Sequence, residues 1–348
     1  MRSIDELIHP ESAPPALFTL SETTDVLLQA SALPKWNQEY VQLSEGTFSG
    51  GLQDLSLGPV QIFRETMDKA VDQRGLPWRN SFAIGVPIAI AGDGYWCGDK
   101  LEQDSVFFLK PNSELKFRTP ERSDIYVAVI DMELLSSYAE SVEEMDAARI
   151  TTLSGTSSAS HQLCSSIRTN LSHLFDGLAA NPTALDSELI RQELLSETMH
   201  TLCAGLSHLS NMTPHSPGQF VHRHIVEKSR EYILSRQSQP PSVLEICNEL
   251  RISRRTLHYA FQKVLGVNPV SYLRYVRLHG ARQMLLLSPP GKLLISEIAA
   301  RWGFYHSGMF CTYYKLLFGE TPSATIARIS GDAACQYKRM SKARLSRH

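Results

Sequence analysis

Apolar and polar residues alternate in short runs between residues 47 and 132, and Gly, Pro, Asn and Asp separate these runs. Short alternating runs of this kind favour a β-sandwich or a small barrel, because each strand buries one face. The segment AGDGYW, residues 91–96, is predicted to be a hairpin turn. The predicted strands are VQIFRE, NSFAIGVPIAI, GYWCG, DSVFFLK, SELKFRT and DIYVAVID.

The apolar spacing changes to a helical period after residue 160. Two helices are predicted there, each with an apolar stripe along one face. A stripe of this kind either covers a sheet within the subunit or joins two subunits, and the sequence leaves both alternatives open. The first stripe consists of Leu163, Ile167, Leu171, Leu174, Phe175 and Leu178, and the second of Leu185, Leu189, Leu195, Met199, Leu202 and Leu206.

The segment SNMTPHSPGQ, residues 210–219, is polar and contains two prolines and a glycine, a composition typical of a linker. Beyond it the pattern is helical as far as the basic tail, residues 331–348. Strands and helices in separate parts of one chain predict an α+β fold class.

Charge changes sign at the same linker. Residues 219–348 contain 20 Lys and Arg against 7 Asp and Glu, whereas residues 1–218 contain 14 against 29. The formal net charge of the whole chain, −2, hides this difference. Such a separation of charge indicates that the basic half binds a polyanion.

Two segments of the basic half are copies of one helix–turn–helix unit. VLEICNELRISRRTLHYAFQKVLGVNPVSYL aligns with ISEIAARWGFYHSGMFCTYYKLLFGETPSATI. Each has Glu-Ile on its first helix, an aromatic residue (Phe261 or Tyr314) on its second, and Gly-x-x-Pro afterwards. The second helices are predicted to begin near Ser253 and Ser307, 54 residues apart. A connecting helix of about 18 residues, at ~1.5 Å each, spans ~27 Å, which approaches the ~34 Å between successive major-groove faces.

The second helix of the first unit has one apolar face and one polar face. Arg254 and Arg255 at its N-terminus oppose the helix macrodipole, at a cost of about 0.3 kcal/mol or more, unless an anion such as phosphate lies beside them. Arg and His side chains can also donate to base edges in a major groove, so this is predicted to be a recognition helix. Its predicted DNA-binding residues are Ser253 (as the helix N-cap), Arg254, Arg255, His258, Tyr259 and Gln262.

The second unit has fewer charged residues on its outward face. Its outward residues are predicted to be Ser307, Gly308, Cys311, Thr312 and Lys315, of which only Lys315 is charged. We therefore expect it to contact the DNA backbone and read shape more than bases. Three arginines of the connecting helix, Arg274, Arg277 and Arg282, are expected to divide between packing and phosphate contacts.

These residues resemble the signature of the AraC/XylS family of bacterial transcription regulators over roughly residues 220–330. The segments that carry the resemblance are ISRRTLHYAFQKVLG and AARWGFYHSGMFCTYYKLLFGETPSATI. The chain departs from the family at Gly308, where Ser is usual, and at Thr312, where Arg is common. The resemblance implies a homeodomain-like DNA-binding domain whose Arg255, His258 and Tyr259 face the groove, with Ser253 and Arg254 near phosphate.

The resemblance also implies a cupin-like N-terminal domain that binds a small-molecule effector and dimerises through helices. Double-stranded DNA and RNA polymerase are the other implied partners, a homodimer is the implied assembly, and activation is the family's common mode. Residues 59–89 further resemble the branch that contains ethanolamine-operon regulators, which implies an ethanolamine or cobalamin effector. The predicted boundaries are an arm at 1–46, the effector domain at 47–209, the linker at 210–219, the DNA-binding domain at 220–330 and the tail at 331–348.

Aromatic residues of the predicted strands offer an effector site. Trp78, Trp96 and Phe107 are predicted to line it, although aromatic residues at strand spacing fit a core as well.

Catalysis is disfavoured. A metal-dependent cupin needs a cluster of His with a carboxylate, but no His lies between His9 and His161. GDGYWCG lacks the GxGxxG spacing, and no GxxxxGK[ST] or GxSxG motif occurs. We predict no catalytic residue, metal or cofactor. The alternatives are a small-molecule-binding adaptor and a cupin-type enzyme fused to a basic helical domain.

The remaining composition favours a cytoplasmic protein without membrane contact. The six cysteines are scattered and form no CxxC pair, which suits a reducing compartment. The N-terminus lacks a signal-peptide pattern, and no apolar run approaches the ~20 residues that span a bilayer.

Overall fold

A computed structural model of the chain describes residues 16–33, 35–142, 150, 153–207, 217–236, 241–287 and 294–328. Most of the predicted linker and all of the predicted basic tail lie outside these ranges. Within them, β-sheets precede a wholly helical region, which confirms the α+β class.

The N-terminal region folds into two antiparallel sheets. The larger contains, in spatial order, β1 (Leu17–Thr23), β3 (Gly50–Ser56), β4 (Val60–Met67), β11 (Arg122–Asp131), β6 (Ser81–Ala91), β9 (Ser105–Leu109) and β12 (Gly155–Ser158). The smaller contains β2 (Asn37–Gln42), β5 (Val71–Leu76), β10 (Leu115–Arg118), β7 (Gly94–Trp96) and β8 (Asp99–Leu101). Among the described strands, neither order closes on itself.

All six predicted strands are confirmed, as β4, β6, β7, β9, β10 and β11. The predicted hairpin turn at 91–96 is wrong, because β6 and β7, which flank it, belong to different sheets. The hairpin lies one step later, where β7 pairs with β8. Cys97 and Gly98 form its tip with φ of 47° and 89°, as a two-residue turn with both residues left-handed requires.

Sequence periodicity missed six strands, among them β2 and β5. Their inward positions carry polar side chains, so no apolar alternation marks them. Gln38, Asp72 and Gln73 are all at most 3% exposed. Near one end of this polar layer, the buried Glu65 carboxylate accepts from Tyr40 at 2.9 Å and from Gln29 at 3.0 Å. Burial raises the pKa of Glu65, and the hydrogen bonds from Gln29 and Tyr40 act in the opposite direction.

Aromatic side chains fill the space between the two sheets. The Trp96 and Phe107 rings lie 4.3 Å apart, and Phe117 lies 5.1 Å from Trp96 on its other side. Trp96 donates from Nε1 to the Phe108 carbonyl at 2.8 Å, which satisfies its only polar group. A Cβ at Gly85 would come within 2.3 Å of the Phe107 ring, so packing requires glycine there.

Helices cover the outer face of the larger sheet: α1 (Val26–Ser31) lies near its edge, followed by α2 (Met132–Ser141), α3 (His161–Ala180) and α4 (Glu188–Ser207). Most of the two predicted apolar stripes pack into the core beneath them. Leu189 is an exception, because its side chain is 72% exposed. Leu185 lies in a separate 3₁₀ turn, Pro182–Asp186, ahead of α4. Packing within the subunit therefore accounts for most of both stripes.

The C-terminal region consists of seven described helices: α5 (Pro217–Ser235), α6 (Val243–Leu250), α7 (Arg254–Leu265), α8 (Pro269–Leu287), α9 (Ile295–Arg301), α10 (Ser307–Phe318) and α11 (Pro322–Arg328). Phe261 lies in the core of the first helix–turn–helix unit and Tyr314 in that of the second. Gly280 of α8 allows close approach of Trp302, which would lie 2.1 Å from a Cβ there.

Buried ion pairs join the two regions. Arg282 of α8 donates to Asp25 at 2.8 Å and to Glu320 at 2.7 Å, and both Arg282 and Asp25 are almost fully buried. Arg328 reaches the same Asp25 oxygen at 2.9 Å. Burial alone would raise the pKa of Asp25, but the charge of Arg282 and the hydrogen bonds from both arginines hold that pKa below its usual value. Of the three arginines expected to divide between packing and phosphate contacts, Arg282 therefore serves packing.

A second set of contacts holds the end of α10. Gln42 donates from Nε2 to the Leu317 carbonyl at 2.7 Å, and Gly46 N–H donates to the Leu316 carbonyl at 2.8 Å. These donors satisfy carbonyls that the last turn of a helix leaves unpaired. Gln42 N–H also donates to Nε2 of His279 at 2.8 Å.

Candidate nucleic-acid interface

The first helix–turn–helix unit has well-defined helix ends. Ser242 and Glu245 form a reciprocal capping box at the start of α6, and Arg251 in the following turn adopts a φ of 52°. The Ser253 hydroxyl accepts from Thr256 N–H at 3.0 Å, so Ser253 is the N-cap of α7, as predicted. Gly266 ends α7 with a φ of 70°, a conformation that glycine adopts without strain.

The two faces of α7 separate as predicted. Leu257, Ala260, Phe261 and Leu265 are at most 1% exposed and hold the helix on its unit. The opposite face is exposed at all six predicted DNA-binding positions, namely Ser253, Arg254, Arg255, His258, Tyr259 and Gln262. The structure therefore brings two guanidinium groups and an imidazole together on one accessible helix surface.

Besides the N-cap Ser253, two of the six side chains have partners within the protein. The Tyr259 ring packs against the His222 ring of α5, with centroids 5.0 Å apart, although Tyr259 stays 52% exposed. Gln262 donates back to the Gly266 carbonyl at 3.2 Å. His222 thus orients Tyr259, a contact that the spacing along α7 does not reveal.

The second unit repeats the geometry with a different register at its start. His306 is the N-cap of α10, without a side-chain capping bond, and Ser307 is the first helical residue. Ser253 of the first unit therefore corresponds to His306 of the second. The predicted offset of 54 residues between the two units, from Ser253 to Ser307, is one residue too long. Gly319 ends α10 with a φ of 72°, as Gly266 ends α7.

The predicted outward residues of α10 are all exposed: Ser307, Gly308, Cys311, Thr312 and Lys315. The Thr312 hydroxyl donates to the Gly308 carbonyl of its own helix at 3.0 Å. A Cβ at Gly308 would meet no atom within 4 Å, so the surface around it is open. Lys315 is the only one of the five that offers a charge.

Helix α8 spans 19 residues and connects the units. Its arginines serve packing: Arg274 lies over the Tyr313 ring at 4.1 Å, and Arg277 donates to the Pro241 carbonyl at 2.9 Å. Together with the buried Arg282, they fix the position of each unit relative to the connecting helix.

The turn before α10 contains exposed residues that are not among the predicted DNA-binding positions. Tyr305 there is 84% exposed and His306 is exposed beside it. An aromatic side chain that is left bare next to a helix N-terminus is a candidate contact for a nucleic-acid backbone or base. The signal in the sequence was an aromatic residue outside the apolar stripe of either helix.

The predicted effector residues lie in or beside the core between the two sheets. Trp96 and Phe107 are at most 1% exposed within the core between the sheets. Trp78 is half-buried at its edge, with the Lys35 ammonium 4.9 Å from its ring. A cavity of about 790 Å³ instead lies at one edge of the larger sheet, near Gly50, Thr66 and Arg122. An effector site on the three aromatic residues stays a prediction.

Neither metal nor membrane features appear in the described ranges. No group of three or more His, Cys, Asp and Glu side chains among those residues is arranged to hold a metal ion. Among the helices described, none combines the length and apolar character needed to cross a bilayer.

The matches to known proteins lie in the helical region. The family described as "Helix-turn-helix domain" matches residues 246–328, which include both units. A probable thc operon regulatory protein from Rhodococcus erythropolis is 35% identical over 105 residues. The carboxy-terminal region of this chain is thus similar to regulators of the AraC/XylS family. The XylDLEGF operon transcriptional activator 3 of Pseudomonas putida is 30% identical over 102 residues.

These matches leave much of each protein uncovered. They include 30% and 29% of this chain, and 32% and 31% of the two relatives. A crystal structure of an AraC-type transcriptional regulator from Chromobacterium violaceum is 25% identical and has a TM-score of 0.30. It covers 32% of this chain and 96% of its own.

Proposed function

We propose that the chain is a sequence-specific DNA-binding regulator of transcription that acts on an operon promoter. The observation that carries this proposal is the pair of matched helices α7 and α10, whose outward faces are both exposed while α8 holds them on one scaffold. At roughly 1.5 Å per residue, α8 is about 28 Å long, comparable with the ~34 Å repeat of the major groove. Each unit then enters one of two successive grooves.

The two units have different roles in DNA binding. Arg255, His258 and Tyr259 face base edges from α7, while Arg254 and the N-terminus of α7 contact phosphate. Helix α10 contributes Lys315 and backbone donors near Ser307, so it positions the protein more than it reads bases. This division follows from the cations of α7, which α10 lacks at the corresponding positions.

The N-terminal region, residues 47–209 with the strands of the predicted arm, supplies regulation in this proposal. It is cupin-like in architecture, binds a small-molecule effector, and contacts a second copy through part of α3 and α4. The exposed Leu189 and a groove of about 650 Å³ near His173 and His200 support that contact. Residues 220–330 bind promoter DNA in the bacterial cytoplasm and recruit RNA polymerase, and the relatives named as operon activators favour activation over repression.

The test is selection of duplexes from a randomised pool by the full chain at low ionic strength, followed by affinity measurements on the enriched duplex. We expect one enriched sequence class, whose binding weakens steeply with salt because neutralised phosphates release counterions. An Arg254→Ala variant should bind all duplexes more weakly and lower the salt slope by about one. No enrichment would refute sequence-specific binding, and a salt-insensitive complex would favour a protein-binding adaptor.

A further inference from the structure

A cavity of about 200 Å³ lies where the smaller sheet meets the first helix–turn–helix unit, and we call it the joint cavity. The side chains that line it include Arg74, Lys116 and Arg118 from the sheet, Arg223 and Glu227 from α5, and Leu265 from the end of α7. Both regions of the chain therefore build the joint cavity, and it touches the recognition helix at its C-terminal end.

Cations outnumber carboxylates in the lining. Four permanent cations line the joint cavity, against two carboxylates, Asp72 and Glu227. Asp72 is already engaged, because it accepts from the Tyr272 hydroxyl at 2.9 Å and pairs with both Arg230 and Arg74. Glu227 lies 2.5 Å from the Lys116 ammonium and 3.7 Å from Arg74. Arg223 lies 3.7 Å from Asp99, a carboxylate outside the lining. Three of the four lining cations therefore have an ion-paired carboxylate.

Arg118 differs from the other lining cations in its partners. Its guanidinium donates to two backbone carbonyls, those of Leu265 at 3.0 Å and of Asp93, and no carboxylate of the described residues forms an ion pair with it. Burial lowers the pKa of Arg118, although the nearby Tyr95, Asp93 and Glu121 act in the opposite direction. A desolvated cation in a cavity favours an anion from solution, because pairing offsets the lost hydration.

The rest of the lining restricts which anion fits. Val226, Val264 and the Tyr95 ring contribute apolar surface to the lining, and the Arg118 guanidinium lies over the Tyr95 ring at 5.9 Å. The volume is below the roughly 300–1,000 Å³ that drug-sized ligands occupy, so the ligand is compact. Guanidinium groups bind planar carboxylates and tetrahedral phosphates through paired hydrogen bonds. We propose that the joint cavity binds a small anion, a carboxylate or phosphate group on a compact body, with Arg118 as its principal anchor.

Binding there has a mechanical consequence. Arg118 donates to the last carbonyl of α7, and a Cβ at the next residue, Gly266, would come within 2.6 Å of its Nη2 atom. An anion that draws Arg118 and Arg223 together links the sheet, α5 and the end of α7 through one ligand. The role of the joint cavity as an effector site rests on the proposed function, whereas anion binding itself does not.

The experiment is isothermal titration of the full chain, without DNA or phosphate buffer, using butyrate and inorganic phosphate as probes and butyramide as the neutral control. The variants are Arg118→Gln, Lys116→Gln as a second lining change, and Lys110→Gln as the matched control, because Lys110 is exposed outside the cavity. Circular dichroism verifies that each variant is folded.

We expect saturable one-to-one binding of butyrate, phosphate or both to the wild type and to Lys110→Gln, and none of butyramide. Binding should weaken about tenfold or more in Arg118→Gln, the loss typical of one charge-assisted hydrogen-bonded contact. Preference for one probe identifies the group. Absence of saturable binding by both anions overturns the proposal, as does binding that neither lining variant weakens.

A second measurement separates this site from the proposed function. The affinity for the selected duplex is measured with and without the bound probe, in the wild type and in Arg118→Gln. A probe-dependent change of affinity in the wild type alone supports the effector role. Anion binding without any such change overturns the effector role and leaves the anion site standing, and failure to bind DNA at all refutes only the proposed function.

Discussion

The two helix–turn–helix units share a scaffold and differ in the chemistry of their surfaces. Phe261 and Tyr314 occupy the same core position, both fully buried, and Gly266 and Gly319 end the recognition helices in the same left-handed conformation. The outward positions differ, because the position of Arg255 in the first unit is occupied in the second by Gly308, which has no side chain. The core and the C-caps therefore maintain the unit, while its outward face is open to change.

The units also differ in how they join the N-terminal region. The first shares an apolar core with it, through Val41, Leu43 and Ala70, and Arg230 of α5 also pairs with the buried Asp72. The second is held by the buried charges around Arg282 and by hydrogen bonds from Gln42 and Gly46 to the end of α10. Buried charges demand complete pairing, so substitutions that remove one partner of these pairs should be costly.

The largest expected effect is on that polar attachment. Arg282→Met should lower the free energy of unfolding by about 3–5 kcal/mol, because it leaves the buried Asp25 and its neighbour Glu320 with only the less buried Arg328 as a counter-charge. Urea unfolding followed by circular dichroism measures the change. Arg254→Ala on the exposed face of α7 is the control, expected within about 0.5 kcal/mol of wild type. Equal stabilities of Arg282→Met and wild type would contradict the role of this pair.

The first unit should make the base-specific contacts. Arg255→Ala should reduce the discrimination between the selected duplex and random DNA by about 1–3 kcal/mol, as expected for the loss of a bidentate base contact. Fluorescence anisotropy on both duplexes measures the ratio. Cys311→Ala on α10 is the matched control and should leave the ratio nearly unchanged. An equal loss from both substitutions would mean that the units read bases alike.

The pH dependence of stability should reveal the environment of His279. Burial, together with the charge of Arg282, lowers the pKa of His279 to about 3, below the ~6.5 of an unfolded chain. Between these values the unfolded state binds a proton that the folded state does not. His279 therefore contributes a loss of about 1.4 kcal/mol per unit as pH falls below ~6.5.

Urea unfolding at pH 7 and pH 5 tests this expectation in the wild type and in His279→Gln, which should lose less stability. The comparison between variants removes the contribution of other groups, such as Asp54, whose pKa burial raises to about 6. His258→Gln on the exposed face of α7 is the control and should lose as much stability between pH 7 and pH 5 as the wild type. An equal loss of stability between pH 7 and pH 5 in all three proteins would contradict the lowered pKa of His279.

The smallest effect concerns the helix caps. Ser253→Ala should cost about 1 kcal/mol, because the Ser253 hydroxyl satisfies Thr256 N–H. His306→Ala, at the corresponding position of the second unit, should cost less, since no side-chain capping bond exists there. Thermal unfolding of both variants measures the difference. A larger loss from His306→Ala would overturn the assignment of the caps.

Sequence alone determined the elements whose signal is local. Six strands, the amphipathic helices and both helix–turn–helix units follow from spacing within a few residues, because side chains that share a strand face or a helix face recur at fixed intervals. The outward face of α7 followed in the same way, and its cations predicted the chemistry of the interface. The position of Ser253 as N-cap needed only its neighbours.

Tertiary structure decided where long-range partners meet. Arg282 looks like a surface cation of a basic helix, but its partner Asp25 lies 257 residues earlier in the chain. Strands β2 and β5 bury polar side chains because a partner for each becomes available only in the folded protein. The anion-binding proposal has the same origin, since Arg118 and the end of α7 are 147 residues apart. Pairing buried charge depends on distance in space, which local sequence patterns do not encode.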